Sequence, residues 1–490
     1  MTSSKSTKRA LITSALAILM CAAMLIGTTF AWFTDTASTG VNKIVSGNLK
    51  VDIIGADSDS HIEKLNFTKA ATTDAEAGAE ILWEPGCRYL TEGFRIANKG
   101  NLALKWKAQV NTGTTAANEG NFDLLDVIDF YLVTKAADGT ETETALDEFT
   151  GNLKKTETSD VYYIKGVMQT TAGNDYQGLT LDGISITVVA TQDTVESDSF
   201  DNQYDKDAEY PILVTTGDEL QAIVSNATAP VNIVLTNSIT TNNFVIPEDK
   251  DVTLDLNGRT VTNAGSHTIL NKGHLTLTDS SADKSGQIIS LKGNTAALRN
   301  GDNAVCVVEG GTISRDGANG NTWHVVENFG KMTFNGGTVV LKNGNGFAIT
   351  NGWNYIDPGA STTHAVMEIN ALELDTDSSG IKNCKYGDLT VNDVTVTSTG
   401  YWALSNDYLG TAVINGGTLT SNSFKAVSNG AAMTVNGGTF DGTEGLFLQS
   451  YATSTVLNGG TFTNMNVGAL SGYVGTGHTA QQSGTSVIIK

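Results

Sequence analysis

Cysteine, proline and basic residues are all scarce in this chain. Its 490 residues include 4 Cys, 5 Pro and 30 Lys plus Arg. Four thiols cannot staple a chain of this size, so packed cores and hydrogen-bonded ladders must hold it together. The bases face 52 acids for a net charge of −22, which excludes a sequence-independent grip on nucleic-acid phosphates and disfavours docking on anionic lipid. The longest apolar run, residues 11 to 26, has 16 residues, short of the roughly 20 that a spanning helix needs. Glycine, by contrast, is abundant and lopsided: 16 lie in residues 1 to 209 and 36 in residues 210 to 490. That asymmetry predicts two architectures in one chain.

The N-terminus has the layout of an export signal. Lys5, Lys8 and Arg9 precede the apolar run, and Thr29-Phe30-Ala31 offers a small-x-small cleavage site between Ala31 and Trp32. The reading is a signal peptide over residues 1 to 31 that is removed by a signal peptidase, with no membrane contact expected after processing. Cys21 leaves with it, and Cys87, Cys306 and Cys384 are expected to be small buried hydrophobes.

Residues 32 to 192 read as a β-sandwich. In Leu102 to Val110, the side chains Leu102, Leu104, Trp106, Ala108 and Val110 alternate with Ala103, Lys105, Lys107 and Gln109, the period of two that lays one strand face on a core. Ile184, Ile186, Val188 and Ala190 repeat the pattern, and further strands fit Leu49 to Ile54, Phe94 to Asn98 and Ile128 to Val133. His61 is the only histidine before residue 267, and no HExxH occurs. A catalytic zinc needs three side-chain ligands, so no protease centre is expected here.

Several spaced blocks carry a resemblance. CAAMLIGTTFAWFTDTASTGVNKIVSGNLKVDI (Cys21 to Ile53), LWEPGCRYLTEGFRIANKGNLALKWKAQV (Leu82 to Val110), LLDVIDFYLV (Leu124 to Val133) and AGNDYQGLTLDGISITVVATQ (Ala172 to Gln192) resemble the TasA/camelysin family of secreted proteins. The resemblance implies a jelly-roll sandwich, processing by a dedicated signal peptidase, and assembly into extracellular matrix fibres of a Gram-positive-type bacterium. The camelysin branch also carries a metalloendopeptidase label, which the histidine count argues against. A β-prone arm beginning Trp32-Phe33-Thr34-Asp35 could pair with an open sheet edge of a neighbouring copy or with its own domain.

Residues 193 to 210 read as an acidic linker: up to Glu209 they hold seven acids and one Lys. Calcium is the one cofactor candidate, through Asp198, Asp201, Asp205 and Asp207, although the glycine of an EF-hand loop is missing.

From residue 211 to 490 the chain reads as a solenoid. Thr216-Gly217-Asp218-Glu219 is a capping-box pattern ahead of Leu220, Ile223 and Val224 at helical spacing, so a short helix is expected to close one end. A phrase then recurs: VEGGTIS at Val308, FNGGTVV at Phe334, INGGTLT at Ile414, VNGGTFD at Val435 and LNGGTFT at Leu457, with weaker copies at Ile369 and Val391. Asn271, Asn300, Asn328, Asn351, Asn383, Asn406 and Asn429 recur after similar apolar stretches, at intervals of 29, 28, 23, 32, 23 and 23 residues. Stacked at one turn of successive coils, they would form a structural ladder worth about 1 kcal/mol per bond. The pattern resembles the pectate-lyase-like right-handed parallel β-helices of bacterial surface proteins. About 12 coils at roughly 4.8 Å each predict a rod of about 55 Å.

Enzymes of that superfamily cleave acidic polysaccharides with an Arg base facing calcium-binding acids, or with clustered Asp beside His. Only Arg259, Arg299 and Arg315 occur in this half, and Asp375 and Asp377 have no partner at coil spacing in the sequence. No catalytic residue is therefore expected. The long intervals imply loops near Arg315 to Thr322 and Trp353 to His364, which would place Trp353, Tyr355, Asp357 and His364 at the surface. Trp353 and Tyr408 share an offset from the ladder two coils apart, about 10 Å, which suits stacking on sugar rings. Trp353, Tyr355 and Tyr408 are accordingly the candidate glycan-binding residues, whereas Tyr401 and Phe424 are expected to stack on each other. The expected whole is an all-β, secreted, non-enzymatic surface or matrix adhesin whose partners are itself, other matrix subunits and surface glycans. The alternative is an extracellular polysaccharide lyase or hydrolase.

Overall fold

The computed structural model describes residues 49–62, 65–68, 83–116, 118–146, 149–182, 184–193, 209–263, 265–316, 323–353 and 364–490. The export signal, the arm at 32–42, the calcium candidates and Tyr355 all lie outside these residues.

The first half has two main antiparallel sheets around its larger core, with a two-stranded pair, Thr114–Thr115 and Leu181–Asp182, and a smaller core cluster at Leu124, Val127, Ile128 and Met168 beside them. Seven strands form the larger sheet, with Tyr162–Met168 paired to both Arg88–Thr91 and Ile128–Lys135, and Val51–Gly55 lying at one edge against Phe94–Asn98. In the smaller sheet, Leu104–Asn111 lies between Phe149–Leu153 and Ser185–Gln192. Leu104, Trp106, Ala108 and Val110 are buried while the alternating Lys and Gln are not, as period-two patterning requires. They meet Phe94, Ile96, Leu132 and Ile164 of the opposite sheet. Trp106 fills the space that Gly151 leaves: a Cβ at Gly151 would stand 2.7 Å from the indole.

The Ser185–Gln192 strand departs from its expected pattern. Ile186, Val188 and Ala190 touch the core but are only half-buried, whereas Thr187 and Val189 on the other face are buried. The reason is the solenoid: Val189 packs with Leu213 and Val234 of its first coils. Asn111 Nδ2 also donates to Asn237 Oδ1 at 2.7 Å across the same junction. Asp193, at the start of the acidic segment, accepts a hydrogen bond from Asn152 Nδ2 at 2.8 Å and so is tied to the sandwich.

The second half is a right-handed parallel β-solenoid of about ten turns, built from three sheets. Nine coils contribute a strand to each sheet and a tenth is partial, so the rod is roughly 48 Å long at 4.8 Å per coil. This corrects the expectation of 12 coils. The long sequence intervals are insertions at the corners, which add residues without adding rungs.

Both ends are closed. At one end the Gly217–Asn226 helix buries Leu220 and Val224, with Thr216 Oγ1 accepting from Glu219 N at 3.2 Å. Glu219 Oε2 accepts from Thr215 N at 2.9 Å, one residue before the N-cap position that a capping box would use. At the other end, Ser486–Ile489 runs antiparallel to Gly460–Phe462, and its Val487 and Ile489 join the core.

The recurring phrase can be explained residue by residue in the Val435 copy. Val435 enters the core. Asn436 donates to Asn415 Oδ1 of the preceding coil at 2.8 Å. A Cβ at Gly437 would stand 2.6 Å from the carbonyl of Asn415, and Gly438 has a φ of +105°, so neither position accepts a side chain without strain. Thr439 then points outward from the second sheet, and Phe440 stacks on Phe462 of the next coil with centroids 4.8 Å apart.

Candidate functional site

Two amide ladders frame the surfaces of the solenoid. The first is buried at the end of the third sheet. Asn271, Asn300, Asn328, Asn351, Asn383 and Asn406 each donate through Nδ2 to the Oδ1 of the next coil's asparagine at 2.7 to 2.9 Å, and Asn429 ends the file on Thr455 Oγ1. The same Nδ2 atoms reach strand carbonyls: Asn351, for example, reaches Asp388 O at 3.1 Å. These are structural groups with their hydrogen bonds satisfied.

The second ladder escaped the sequence reading. Asn458, Asn436, Asn415, Asn392 and Asn370 donate in turn towards the start of the rod, through Asn335 to the carboxylate of Glu309. Its signal was present in the repeated phrase, where the residue before Gly-Gly is Asn in four copies and Glu in the first. It runs along the surface.

The buried ladder leads into a corner rich in aromatic groups. Phe329 and Trp353 lie 4.7 Å apart, and the Arg299 guanidinium sits 4.7 Å from the Phe329 centroid. Trp353 N donates to Lys385 O at 3.0 Å. Lys385 Nζ lies 5.1 Å from the ring of Tyr386, which meets His364 at 5.7 Å. His364 in turn pairs with Asp388 at 2.9 Å. Tyr408 is 56% exposed, and Leu409, Val366 and Tyr451 are exposed along the same corner. Of the glycan-binding candidates, Trp353 is half-buried against Phe329, whereas Tyr408 offers an open ring face. Tyr401 and Phe424 meet edge to face at 5.7 Å.

A second feature that sequence reasoning missed sits on the outer face of the third sheet. Arg299, Glu327, Thr350 and Lys382 stack in register, each immediately before a ladder asparagine. That shared offset was the available signal. Glu327 is only 3% exposed and is held by Arg299 Nη1 at 3.2 Å. Burial pushes its carboxyl above the usual range, and Arg299 opposes the shift. Arg315, 1% exposed, donates to His324 O at 3.1 Å and Lys292 O at 2.9 Å. Burial pulls its guanidinium down to about 10, and pulls the His267 and His324 imidazoles down to about 4. Asp375 and Asp377 stand elsewhere, on Lys342 at 2.8 Å and on the Asn343 N–H at 2.6 Å.

The sandwich presents a groove. Its walls are the Val51–Gly55 and Ser185–Gln192 strands, which among the described residues have a full strand partner on one side each, Phe94–Asn98 and Leu104–Asn111. The open edge of Val51–Gly55 is capped only by a short return, in which Ile62 N donates to Ile53 O at 3.0 Å. Val51, Ile53, Leu65, Phe67, Ile186 and Val188 line the space, and solenoid turns at Asn257–Arg259 and Ser280–Ala282 close its third side around about 1190 Å³. His61 lies on its rim, paired with Asp52 at 2.6 Å and half-exposed. Among the described residues no three His, Cys, Asp or Glu side chains are grouped to hold a metal. Compared with known proteins, the chain matches no family model, no curated protein and no solved structure.

Proposed function

We propose that this is an exported surface or matrix protein of a Gram-positive-type bacterium. In this reading the sandwich assembles copies and the solenoid is a finite adhesive rod. The observation that carries the reading is the apolar groove between two sheet edges that, among the described residues, have a full strand partner on one side only, since such edges accept a further strand and their lining gains by being covered. The TasA/camelysin-like blocks and the export-signal layout of residues 1 to 31 support the same reading. The natural donor is the arm that begins at Trp32, supplied by a neighbouring copy. Light scattering of the secreted protein should show polymers that vanish when residues 32 to 42 are deleted; polymerisation unchanged by the deletion sinks the assembly role.

The adhesive role belongs to the aromatic corner, where the exposed face of Tyr408 and the neighbouring Trp353 suit sugar rings. One specific observation favours a second reading. Glu327, a buried carboxyl with a raised pKa beside Arg299, is the kind of group that serves as a general acid. If the solenoid cleaves polysaccharide, a glycan panel will release reducing or unsaturated ends, and Glu327→Gln will abolish the release.

A further inference from the structure

We propose that Arg259 of the solenoid is the specificity-determining cation of the sandwich groove, and that it receives the carboxylate of Asp35 from residues 32–47 of a second copy. This rests on the assembly reading and names the contact that selects the incoming strand.

Arg259 is held in place from both directions. Asn257 and Gly258 turn the chain with φ of +45° and +74°, and Arg259 N closes the turn on Leu256 O at 2.8 Å. Its carbonyl accepts from Gln287 N of the next coil at 2.9 Å. The side chain then crosses to the sandwich, where Nη2 donates to Ser185 Oγ at 2.9 Å at the start of the wall strand. The guanidinium is half-buried, its Nε is inaccessible and without a partner, and no carboxylate lies within ion-pair distance among the described residues. The nearest acids on these turns are committed to the backbone. Asp255 Oδ1 accepts from Asn257 N and Ser280 N, and Asp279 accepts from Gly258, Ser281 and Gly286 N–H groups.

A half-buried guanidinium bonded only to a hydroxyl is an anomaly in a chain with 52 acids and 30 bases. Its planar fork suits a carboxylate. The groove therefore asks for an extended segment with apolar side chains and one acid near the solenoid end. Residues 32–47, WFTDTASTGVNKIVSG, supply Trp32, Phe33, Val41, Ile44 and Val45, with Asp35 as their sole acid. Sixteen extended residues reach roughly 50 Å, ample to run beside an eight-residue strand of about 27 Å.

The test uses the full secreted chain and charge reversal, read by sedimentation velocity and light scattering. Arg259→Glu and Asp35→Lys should each raise the concentration needed for polymerisation about tenfold, and Arg259→Lys by less. The double variant should return to within about twofold of the parent. An equimolar mixture of the two single variants should co-polymerise, because each arm then meets a complementary groove in the other copy. Arg259→Glu that polymerises like the parent, or a double variant that stays folded in urea titration without recovering, overturns the pairing while leaving assembly intact. A double variant that recovers while the mixture fails places the arm in its own copy, which also overturns the proposal. A parent chain that never polymerises removes the assembly reading and this inference together.

Discussion

The sandwich and the solenoid solve the same problem, burying apolar strand faces, by opposite routes. In the sandwich, partners are unrepeated and, apart from the hairpin of Ile128–Lys135 and Glu141–Ala145, mostly distant: Val51–Gly55 pairs with Phe94–Asn98, while Leu104–Asn111 pairs with strands near residues 150 and 190. In the solenoid each strand meets the strand one coil earlier and one coil later, and asparagine recurs at seven successive rungs of the third sheet. Among the described residues the sandwich therefore ends in edges that no further full strand covers, whereas the solenoid postpones its edges to two capped ends. The half with spare edges is the half suited to take up another chain, and the half without them offers side chains along its flanks instead.

The largest contrast should appear between the two ladders. Asn351→Leu takes the Asn383 side-chain oxygen's donor and a strand carbonyl's side-chain donor away in a dry interior, while the Asn328 amide keeps its bonds to Gly330 O and Val366 O, and should cost about 3 kcal/mol in urea unfolding. Asn415→Ala, on the surface ladder, should cost about 1 kcal/mol or less because water replaces the lost amide. Equal losses at the two positions would mean that exposure does not set the value of a rung.

Acid should separate the halves next. His324 is neutral in the fold, with its pKa drawn down from 6.5 to about 4 by burial. Between those values the unfolded chain binds a proton that the folded one refuses. Stability is thus complete above about pH 6.5 and falls by about 3 kcal/mol as pH drops through 4. His267 shifts in the same direction. Glu327, raised, acts oppositely between its ordinary value and its folded one, where its protonation offsets part of the loss. The sandwich has only His61, exposed beside Asp52. Single-tryptophan variants reporting on Trp106 and Trp402 should show the solenoid melting first as pH falls, with His324→Gln narrowing the gap.

Glycine gives a smaller test. Gly437→Ala drives a Cβ to 2.6 Å from the Asn415 carbonyl and should cost about 2 to 3 kcal/mol. Gly139→Ala in a sandwich turn has φ +83° but open space, and should cost only about 1 kcal/mol. Smallest in stability terms, Tyr408→Ala should leave the unfolding midpoint within about 0.5 kcal/mol and weaken retention on glycan gels about fivefold to tenfold. Trp353→Ala should lower stability as well, because its ring packs on Phe329.

What could be read from the sequence follows the same division. The seven buried asparagines stand out because each follows an apolar stretch and recurs at coil spacing. The surface ladder was hidden in plain text, since the glycines that follow Asn335, Asn415, Asn436 and Asn458 draw the eye to the bend. The Arg299 and Glu327 pair needed the register, because 28 residues of sequence become one 4.8 Å step only once the coil is known. The coil count was overestimated because residues in corner insertions and end caps lengthen the sequence without adding rungs. In the sandwich, Ile186, Val188 and Ala190 read as a core face, and period-two patterning cannot say that the opposite sheet leaves them half-covered. The burial of Val189 on the reverse face depends on the solenoid, which no local pattern announces.

The two ladders run in opposite senses. Buried amides hand their hydrogen bonds towards the C-terminal cap, and surface amides hand theirs back to Glu309. Their side-chain dipoles therefore largely cancel along the rod, so lengthening it accumulates no polarity that the caps would have to meet. A whole coil could be duplicated or deleted between Asn383 and Asn429 with both files rejoining across the cut. On such a scaffold, rod length is a quantity that gene duplication can adjust one rung at a time, while the caps and the sandwich stay as they are.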